Sequence, residues 1–314
     1  MQAFSEADDR PHQPQDHPQW QESALFCWHD PASGAGGFWR LGQEPVAGAL
    51  NSCFGVFDGA GNRFRSNVTG VPLGPADRGE GHMGWGPHLR VEFDGTARIR
   101  ADFADCEAEL EFTDFHPRFD YMAVAMPDAP LEAGGHHFEV AGRMTGRLRI
   151  GDREMAVEAL GYRDRSWAVR DWSWMRGTRW WPCVFGPGLA THVLHAIVDG
   201  RVLKLGYVWR DGTATPVVDS DVLVALESDA LTPRRGEGVL HLATGETLHI
   251  SCDRADGVVM HVRGYTAVET LGTALLNGRR GMSNLEVSTN PGGGAAEPVC
   301  AVGSNLVNGL SRRA

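Results

Sequence analysis

The sequence predicts an all-β protein made of two adjacent antiparallel β-barrel domains, and three observations lead to this prediction. The dominant period of the hydrophobic pattern is two, which is typical of strands with one buried face. A sustained period of 3.6 is missing, and only residues 267–276 are compatible with a short helix. Asp-Gly pairs, which favour two-residue hairpin turns, occur five times, mostly between alternating segments, and begin at Asp58, Asp94, Asp199, Asp211 and Asp256.

The alternation is clearest before the middle of the chain. In residues 137–150 the even positions are mostly apolar and the odd ones mostly charged, so Glu139 and Arg143 are expected to face solvent. Residues 105–114 and 154–159 behave likewise. Further strands are predicted in the second half, at 191–198, 201–209, 238–243, 247–252 and 258–263. Because the two series lie on either side of a mid-chain aromatic segment, the predicted domains are a barrel over 1–165, a barrel over 166–300 and a tail over 301–314.

Composition excludes several partners. The formal net charge of −11 argues against nucleic acid and anionic membrane surfaces, which both need a basic footprint. No apolar segment approaches the ~20 residues of a membrane helix, and the polar N-terminal region does not resemble a signal peptide. The six cysteines are scattered, which favours reduced thiols. We therefore expect a cytoplasmic protein without membrane insertion.

Residues 161–172, Gly-Tyr-Arg-Asp-Arg-Ser-Trp-Ala-Val-Arg-Asp-Trp, form the most informative segment. Half of the ten tryptophans lie in it or just after it. Charged side chains among large aromatic ones are costly to bury unless the charges are paired. Two interpretations stay open. The segment is either a tryptophan-rich core closed by the pairs Arg163–Asp164 and Arg170–Asp171, or the wall of a pocket for an apolar ligand.

The pocket interpretation names candidate residues. Aromatic faces can stabilise a developing carbocation, and the candidate substrate-binding residues are Trp85, Trp167, Arg170, Trp172 and Trp174. A general acid that protonates an alkene must keep its proton near neutral pH, whereas a neighbouring Arg lowers the pKa of an Asp. Sequence neighbours on a strand face opposite sides, which still permits the role. The candidate proton donors are Asp164 and Asp171, and then His192, His195 and His88.

The histidine spacing does not predict a metal site. His192 and His195 face opposite sides of a strand, and no third ligand completes a zinc frame. His136 and His137 begin a strand and are expected to be solvated. No nucleotide-binding fingerprint occurs in a suitable context, so neither a metal nor a cofactor is expected.

The glycine-rich segment 79–88 has no predicted helix after it, so it does not predict a phosphate site. It predicts a mobile loop that carries Trp85 and His88.

With its central segment and its all-β surroundings, the chain resembles the carotenoid 1,2-hydratase-like proteins, which include hydroxyneurosporene synthase, kievitone hydratase, decalin-forming Diels–Alderases and AttH-like bacterial proteins. The resemblance implies two lipocalin-like barrels side by side. It also implies unsaturated isoprenoid or polyketide substrates handled without a cofactor, although members run different reactions. Relatives often have His where this chain has Arg165. The positions that match the family motif are Arg163, Asp164, Ser166, Trp167, Arg170, Asp171 and Trp172.

Two functions are consistent with these observations. The first is a cofactor-independent hydratase or dehydratase, isomerase or cyclase that acts on a hydrophobic terpenoid or polyketide-like molecule by acid catalysis in a Trp-lined cavity. The second is a non-catalytic, lipocalin-like carrier of hydrophobic small molecules. They differ in whether an ionisable group with a raised pKa reaches the cavity. A protein-interaction scaffold would have no deep cavity.

Overall fold

The computed structural model describes residues 4–118, 120, 135–198, 200–293 and 304–313. The strands before the aromatic segment ends are β1 Trp20–His29, β2 Ala35–Glu44, β3 Ala49–Asp58, β4 Asn62–Pro72, β5 Arg78–Gly79, β6 His82–Trp85, β7 Leu89–Asp94, β8 Thr96–Phe103, β9 Cys106–Asp114, β10 His136–Ile150 and β11 Arg153–Val169. Those after it are β12 Met175–Val184, β13 Leu189–Val198, β14 Arg201–Arg210, β15 Thr213–Leu226, β16 Pro233–Leu242, β17 Thr247–Val262, β18 Tyr265–Leu276, β19 Arg279–Thr289 and β20 Gly309–Arg312.

Helical structure in the described ranges is limited to short 3₁₀ turns, at Glu6–Asp9, Trp172–Trp174 and Pro291–Gly293. None of these turns has the length or the hydrophobicity to cross a membrane.

Twelve of the described strands form one open sheet in the order β20-β4-β3-β2-β1-β11-β10-β9-β8-β7-β6-β5. The sheet curls round an apolar core to which β1–β4 and β6–β11 contribute, with Phe26, Trp39 and Phe112 among its large side chains. Strand β11 belongs to this sheet as far as Val169. The C-terminal strand β20 pairs with β4 at the edge of the same sheet, so the end of the chain returns to the first half of the fold.

Strands β12 to β19 close into an antiparallel barrel, because β19 pairs back onto β12. Trp181, Phe185 and Val193 pack inside it. Trp180 packs instead in a core between the barrel and the open sheet, since consecutive strand residues point to opposite faces. The prediction of an all-β, two-barrel fold is confirmed, with the first barrel present as an open, curled sheet.

The two sheets share a buried interface. Phe38 and Tyr162 of the open sheet pack in the same apolar cluster as Tyr207 and Met260 of the barrel. Polar contacts cross the interface as well: Arg63 Nε donates to an oxygen of Asp256 at 2.7 Å, and Arg263 Nε donates to Glu44 Oε1 at 2.9 Å. The fold therefore buries one face of β1, β2, β10 and β11 against the outer wall of the barrel.

Two sequence-based expectations about secondary structure are wrong. Residues 267–276 belong to strand β18 and not to a helix. The barrel core covers one face of β18 and the interface covers the other, so the period of two is hidden. The glycine-rich segment 79–88 contains the last residue of β5 and all of β6, where a loop was expected.

The Asp-Gly prediction is largely confirmed. The pairs that begin at Asp58, Asp94 and Asp211 lie at turns between consecutive strands. Asp256 lies within β17, at a register shift against β18. Asp199 lies outside the described residues. The described cysteines are buried and free, as the scattered spacing predicts, and Cys300 lies outside the described ranges.

Candidate functional site

The candidate site lies in the interface, where one row of paired residues on each sheet faces the other. Cross-strand partners share a face of a sheet, so each row presents its side chains together. The row on the open sheet runs over β2, β1, β11 and β10 and consists of Arg40, Leu25, Asp164 and Glu139. The row on the barrel runs over β18, β19, β12, β13 and β14 and consists of Glu269, Glu286, Trp180, Leu194 and Leu205.

A cavity of about 160 Å³ separates the two rows. Much of its lining is apolar and includes Trp172, Trp174, Met175, Leu203 and Met260. A dry cavity of about 150 Å³ accommodates benzene. The cavity therefore fits an apolar group of that size, and a longer molecule would extend beyond it.

Glu139 is fully buried at one end of the cavity. Its Oε2 accepts a hydrogen bond from Tyr162 Oη at 2.8 Å, and its Oε1 accepts one from Trp180 Nε1 at 3.1 Å. Burial raises the pKa of Glu139 to about 7, and the charge of Asp164 acts in the same direction, while the charge of His137 opposes both. At neutral pH this carboxyl is therefore suited both to give and to accept a proton.

His137 joins Glu139 to Asp164. Its Nε2 lies 3.0 Å from Asp164 Oδ2 and 3.3 Å from Glu139 Oε1. Burial alone would lower the pKa of His137, but the charge and hydrogen bond of Asp164 raise it. Burial would likewise raise the pKa of Asp164, but His137 and then Arg170 lower it. Asp164 is therefore ionised at neutral pH, beside a histidine that holds a proton readily.

The opposite wall carries two more buried carboxyls. Glu286 Oε1 accepts hydrogen bonds from Tyr265 Oη at 2.9 Å and from the Thr178 hydroxyl. Glu269 Oε2 accepts one from Asn284 Nδ2 at 2.8 Å. Burial raises the pKa of both carboxyls, and the charge of Glu286 raises that of Glu269 further. This wall therefore favours neutral carboxylic acids.

Two arginines line the same cavity. Arg40 is 5% exposed, and its guanidinium makes no hydrogen bond or ion pair with the described residues. Burial lowers the pKa of Arg40 to about 10, and the like charge of Arg170 contributes. The guanidinium carbons of Arg40 and Arg170 lie 5.2 and 5.3 Å from the ring centre of Trp172.

Arg170 is held in place from the other side. Its Nη2 donates to Ser166 Oγ at 3.0 Å. The Gln21 side-chain oxygen accepts from Arg170 Nε and from Trp172 Nε1, each at 3.2 Å. The turn after β11 thus fixes a cation and an indole at the edge of the cavity.

Three of these residues have the donor atoms of a metal site. Ligand atoms of His137, Glu139 and Asp164 lie within 4.8 Å of one another. Arg40 and Arg170 place positive charge in the same cavity, which opposes a second cation, and Glu139 already accepts hydrogen bonds from neutral donors. The cluster is therefore better suited to proton transfer than to binding a metal ion.

The structure places several sequence-predicted residues at the cavity. His192 is buried behind Glu139, with its Nε2 3.1 Å from Glu139 Oε2. Burial and the charge of His137 lower the pKa of His192 to about 3, so it is a neutral neighbour. The predicted residues that line the cavity directly are Asp164, Arg170, Trp172 and Trp174.

Other predicted residues lie away from it. Asp171 is exposed and accepts a hydrogen bond from Ser173 N at 2.8 Å. The side chain of Ser173 and then its backbone N–H lower the pKa of Asp171. Trp167 is buried on the opposite face of β11, stacked on His12 with ring centres 3.8 Å apart. His195 Nε2 lies 2.7 Å from Ser220 Oγ, on the face of β13 opposite to that of His192.

Trp85 and His88 lie far along the open sheet. Trp85 packs against the core of that sheet, and His88 stacks on Phe103 with ring centres 5.2 Å apart. Neither residue is part of the cavity lining.

The prediction that His137 and Glu139 face solvent is wrong, and one reason accounts for both. The barrel covers the outward face of β10 over residues 138–142, where both faces of the strand are buried. Farther along the strand the barrel no longer covers it, and Arg143 and Arg147 are exposed as predicted.

The pair Arg163–Asp164 does not form, because strand neighbours point apart. The pair Arg170–Asp171 lies after the end of β11 and does not form either, since Asp171 accepts from Ser173 N whereas Arg170 donates to Ser166 Oγ. Arg163 instead donates to Asp9 Oδ1 at 2.6 Å and to Asp114 Oδ1 at 2.7 Å. The face of β11 that carries Arg163 is covered by these ion pairs with residues of the N-terminal half of the chain.

Sequence reasoning missed Glu139 and His137, which it placed in solvent, and it also missed Arg40, Glu269 and Glu286. A signal for Arg40 and Glu269 exists: Glu269 is the only charged residue of β18, and Arg40 is the only one of β2 before its final residue. A lone charge in an otherwise uncharged strand indicates a buried polar position that needs an explanation.

Comparisons with solved structures give the same fold. An AttH-like protein from Nitrosomonas europaea is 12% identical, with 86% of this chain and 92% of that chain covered and a TM-score of 0.62. CghA is 12% identical, with 87% and 88% covered and a TM-score of 0.60. Kievitone hydratase from Nectria haematococca is 9% identical, with 92% and 93% covered and a TM-score of 0.57.

At these identities the likeness shows the fold, which is the one that the central motif predicted. No curated protein matches the sequence. The sequence model of one family matches residues 5–291, and the chain therefore belongs to the family described as Domain of unknown function (DUF7064).

Proposed function

We propose that this protein is an acid–base enzyme that hydrates, dehydrates, isomerises or cyclises a hydrophobic unsaturated small molecule, without a cofactor. The observation that carries the proposal is Glu139, a fully buried carboxyl at an apolar cavity with a pKa raised to about 7. Kievitone hydratase and the Diels–Alderase CghA share the fold, which is consistent with such chemistry.

In the proposed reaction, the proton of Glu139 passes to one carbon of a double bond. A C–H bond forms as the O–H bond breaks, and the neighbouring carbon becomes a cation. In hydration, a water oxygen attacks that carbon and the water proton returns to the Glu139 carboxylate. Dehydration is the reverse. In isomerisation, the carbon next to the cation loses a proton to the Glu139 carboxylate. In cyclisation, a second double bond of the same molecule attacks the cation and forms a C–C bond, and the new cation then loses a proton to the Glu139 carboxylate. Each route balances without an oxidant or a reductant.

The neighbours of Glu139 support this role. His137, in contact with both Glu139 and Asp164, is placed to exchange a proton with Glu139 and so to keep its carboxyl protonated between turnovers. The indoles of Trp174 and Trp180 line the same cavity and offer aromatic surface to a cation. Asp164, predicted from the sequence as a donor, acts in this scheme as the ionised partner of His137.

The test is incubation with a panel of acyclic terpenes and terpene alcohols with no cofactor added. We expect conversion by the wild-type protein and a loss of roughly 10²–10⁴-fold in rate for Glu139→Gln, which keeps the shape but removes the transferable proton. Glu158→Gln on the exposed side of β11 is the matched control and should retain the wild-type rate. Full activity of the Glu139 variant would exclude its role. Tight binding without conversion would favour the carrier.

A further inference from the structure

We infer that the substrate carries an acidic oxygen group, a carboxylate or an ionised enol, which binds to Arg40 with the help of Arg170. This inference rests on the proposed function, because it names a group of the substrate of the same cavity.

The first argument is the state of Arg40. A buried arginine is ordinarily paired, because taking its charge out of water without a partner is costly. Arg163 and Arg165 follow that rule, with ion pairs to Asp9 and Glu22. Arg40 is nine-tenths buried, lines the cavity and has no such partner among the described residues. Its Nη2 is buried without a hydrogen-bond partner, and the residue lines the space in which the substrate would bind.

The second argument is the charge of the cavity. Arg40 and Arg170 bring two positive charges to it, and Asp164 brings one negative charge that is already in contact with His137, whose pKa is raised. Glu139, with a pKa of about 7, is only partly ionised at neutral pH. The carboxyls of Glu269 and Glu286 favour the neutral form, because both are buried side by side. An anionic ligand group would restore the balance.

The third argument comes from the proposed chemistry. Two guanidinium groups in the cavity would oppose a carbocation, unless the substrate brings a negative charge that neutralises them. Arg40 and Glu139 lie three strands apart in the row, or about 14 Å between backbones at the usual strand spacing of ~4.8 Å. An acidic group at Arg40 would therefore hold a double bond several carbons away, towards Glu139.

The experiment is calorimetric titration at pH 7.5 with two matched pairs of probes. Geranate and geraniol share a carbon skeleton and differ in the carboxylate. The acidic enol 4-hydroxycoumarin and coumarin differ in the ionised oxygen. The proteins are the wild type, Arg40→Gln, Arg40→Lys and the control Arg100→Gln, which removes an exposed arginine of the same charge.

We expect the wild type and the Arg100 variant to bind at least one acid about tenfold or more tightly than its neutral counterpart. The acid that shows the preference identifies a carboxylate or an enol. Arg40→Gln should lose the preference and keep its affinity for the neutral probe, and Arg40→Lys should retain part of it. If Arg40→Gln fails to fold, the inference is judged from the other two proteins: the wild type should prefer the acid, and Arg40→Lys should show a weaker preference.

Equal affinity for acid and neutral probe in the wild type, no binding of either acid, or a preference that persists in Arg40→Gln would each overturn the inference. Because binding is measured without turnover, the two proposals can fail separately. An Arg40-dependent preference without conversion of any substrate would support the inference and count against the proposed reaction. Conversion that depends on Glu139, with no preference for acids, would do the opposite.

Discussion

Glu22 and Glu139 are two fully buried glutamates of the same sheet with opposite acid–base properties. Burial would raise the pKa of Glu22, but the charge of Arg165, the hydrogen bond of His12 and the charge of Arg78 lower it to about 2. Glu139 contacts no arginine among the described residues, and its pKa is raised to about 7. Burial is equal in the two cases, so the partners decide whether a buried carboxyl is a fixed charge or a proton carrier.

The arginines of the sheet show the same contrast. Arg165 is fully buried and donates to Glu22 Oε1 at 2.5 Å and to the backbone oxygen of Ser23 at 2.8 Å. Arg40 is nearly as buried and has no partner of this kind in the described ranges. One face of the sheet is closed by ion pairs, which is typical of a structural role, and the other carries the arginine for which we propose a ligand.

The largest effect expected is on the closed face. Arg165→Met removes the closest cation from Glu22 and leaves its carboxylate incompletely paired, so the free energy of unfolding should fall by about 3–5 kcal/mol. The matched change Arg40→Met removes a charge that has no hydrogen-bond or ion-pair partner among the described residues, so it should lower that free energy by less than about 1 kcal/mol, or raise it. Urea unfolding at pH 7 measures both.

A loss of several kcal/mol in the Arg40 variant would mean that Arg40 is structural. An unchanged free energy of unfolding in Arg165→Met would remove the distinction between the two faces.

The second prediction concerns stability at neutral and alkaline pH. The pKa of Glu139 is about 7 in the folded state and 4.5 ordinarily, so the stability it contributes is complete below about pH 4.5 and is lost as pH rises through 7. Relative to Glu139→Gln, the wild type should lose up to ~3 kcal/mol between pH 5 and 8. Parallel thermal melts of the two proteins in this range test the difference. Parallel curves would show that Glu139 does not titrate there.

The third prediction concerns stability at acidic pH and the opposite face of the sheet, where Glu22 lies. The pKa of Glu22 is about 2 in the folded state against an ordinary 4.5, so its contribution is complete above about pH 4.5 and is lost as pH falls towards 2. The stability advantage of the wild type over Glu22→Gln should therefore shrink by up to ~3 kcal/mol between pH 5 and 2. A constant advantage across that range would mean that Glu22 titrates normally.

These contrasts also show how far the sequence alone leads. The period of two and the Asp-Gly turns predict strands and hairpins because both depend on local geometry. The site depends on which face of a strand the other sheet covers, and that is a long-range property. Glu139 and Arg143 look alike in the sequence, and only the barrel packed over residues 138–142 buries one and leaves the other exposed.

Within the aromatic segment, the sequence correctly indicates that strand neighbours separate. It does not reveal that Asp164 faces the barrel whereas Trp167 faces the N-terminal region. Glu269 was hidden for another reason: its strand is buried on both faces, and the resulting apolar pattern resembles a short helix.

The smallest structural effect is expected for Asp171→Asn. We compare it with Asp164→Asn, because the motif predicts both aspartates as proton donors. Asp171 is exposed and caps the 3₁₀ turn through Ser173 N, which an Asn oxygen can equally accept. Asp171→Asn should leave the melting temperature and the rate of conversion unchanged. Asp164→Asn removes the charge that raises the pKa of His137, so the pH profile of activity should lose its His137-dependent limb and the rate should fall. Loss of activity in the Asp171 variant alone would place the proton donor at the exposed turn and not in the cavity.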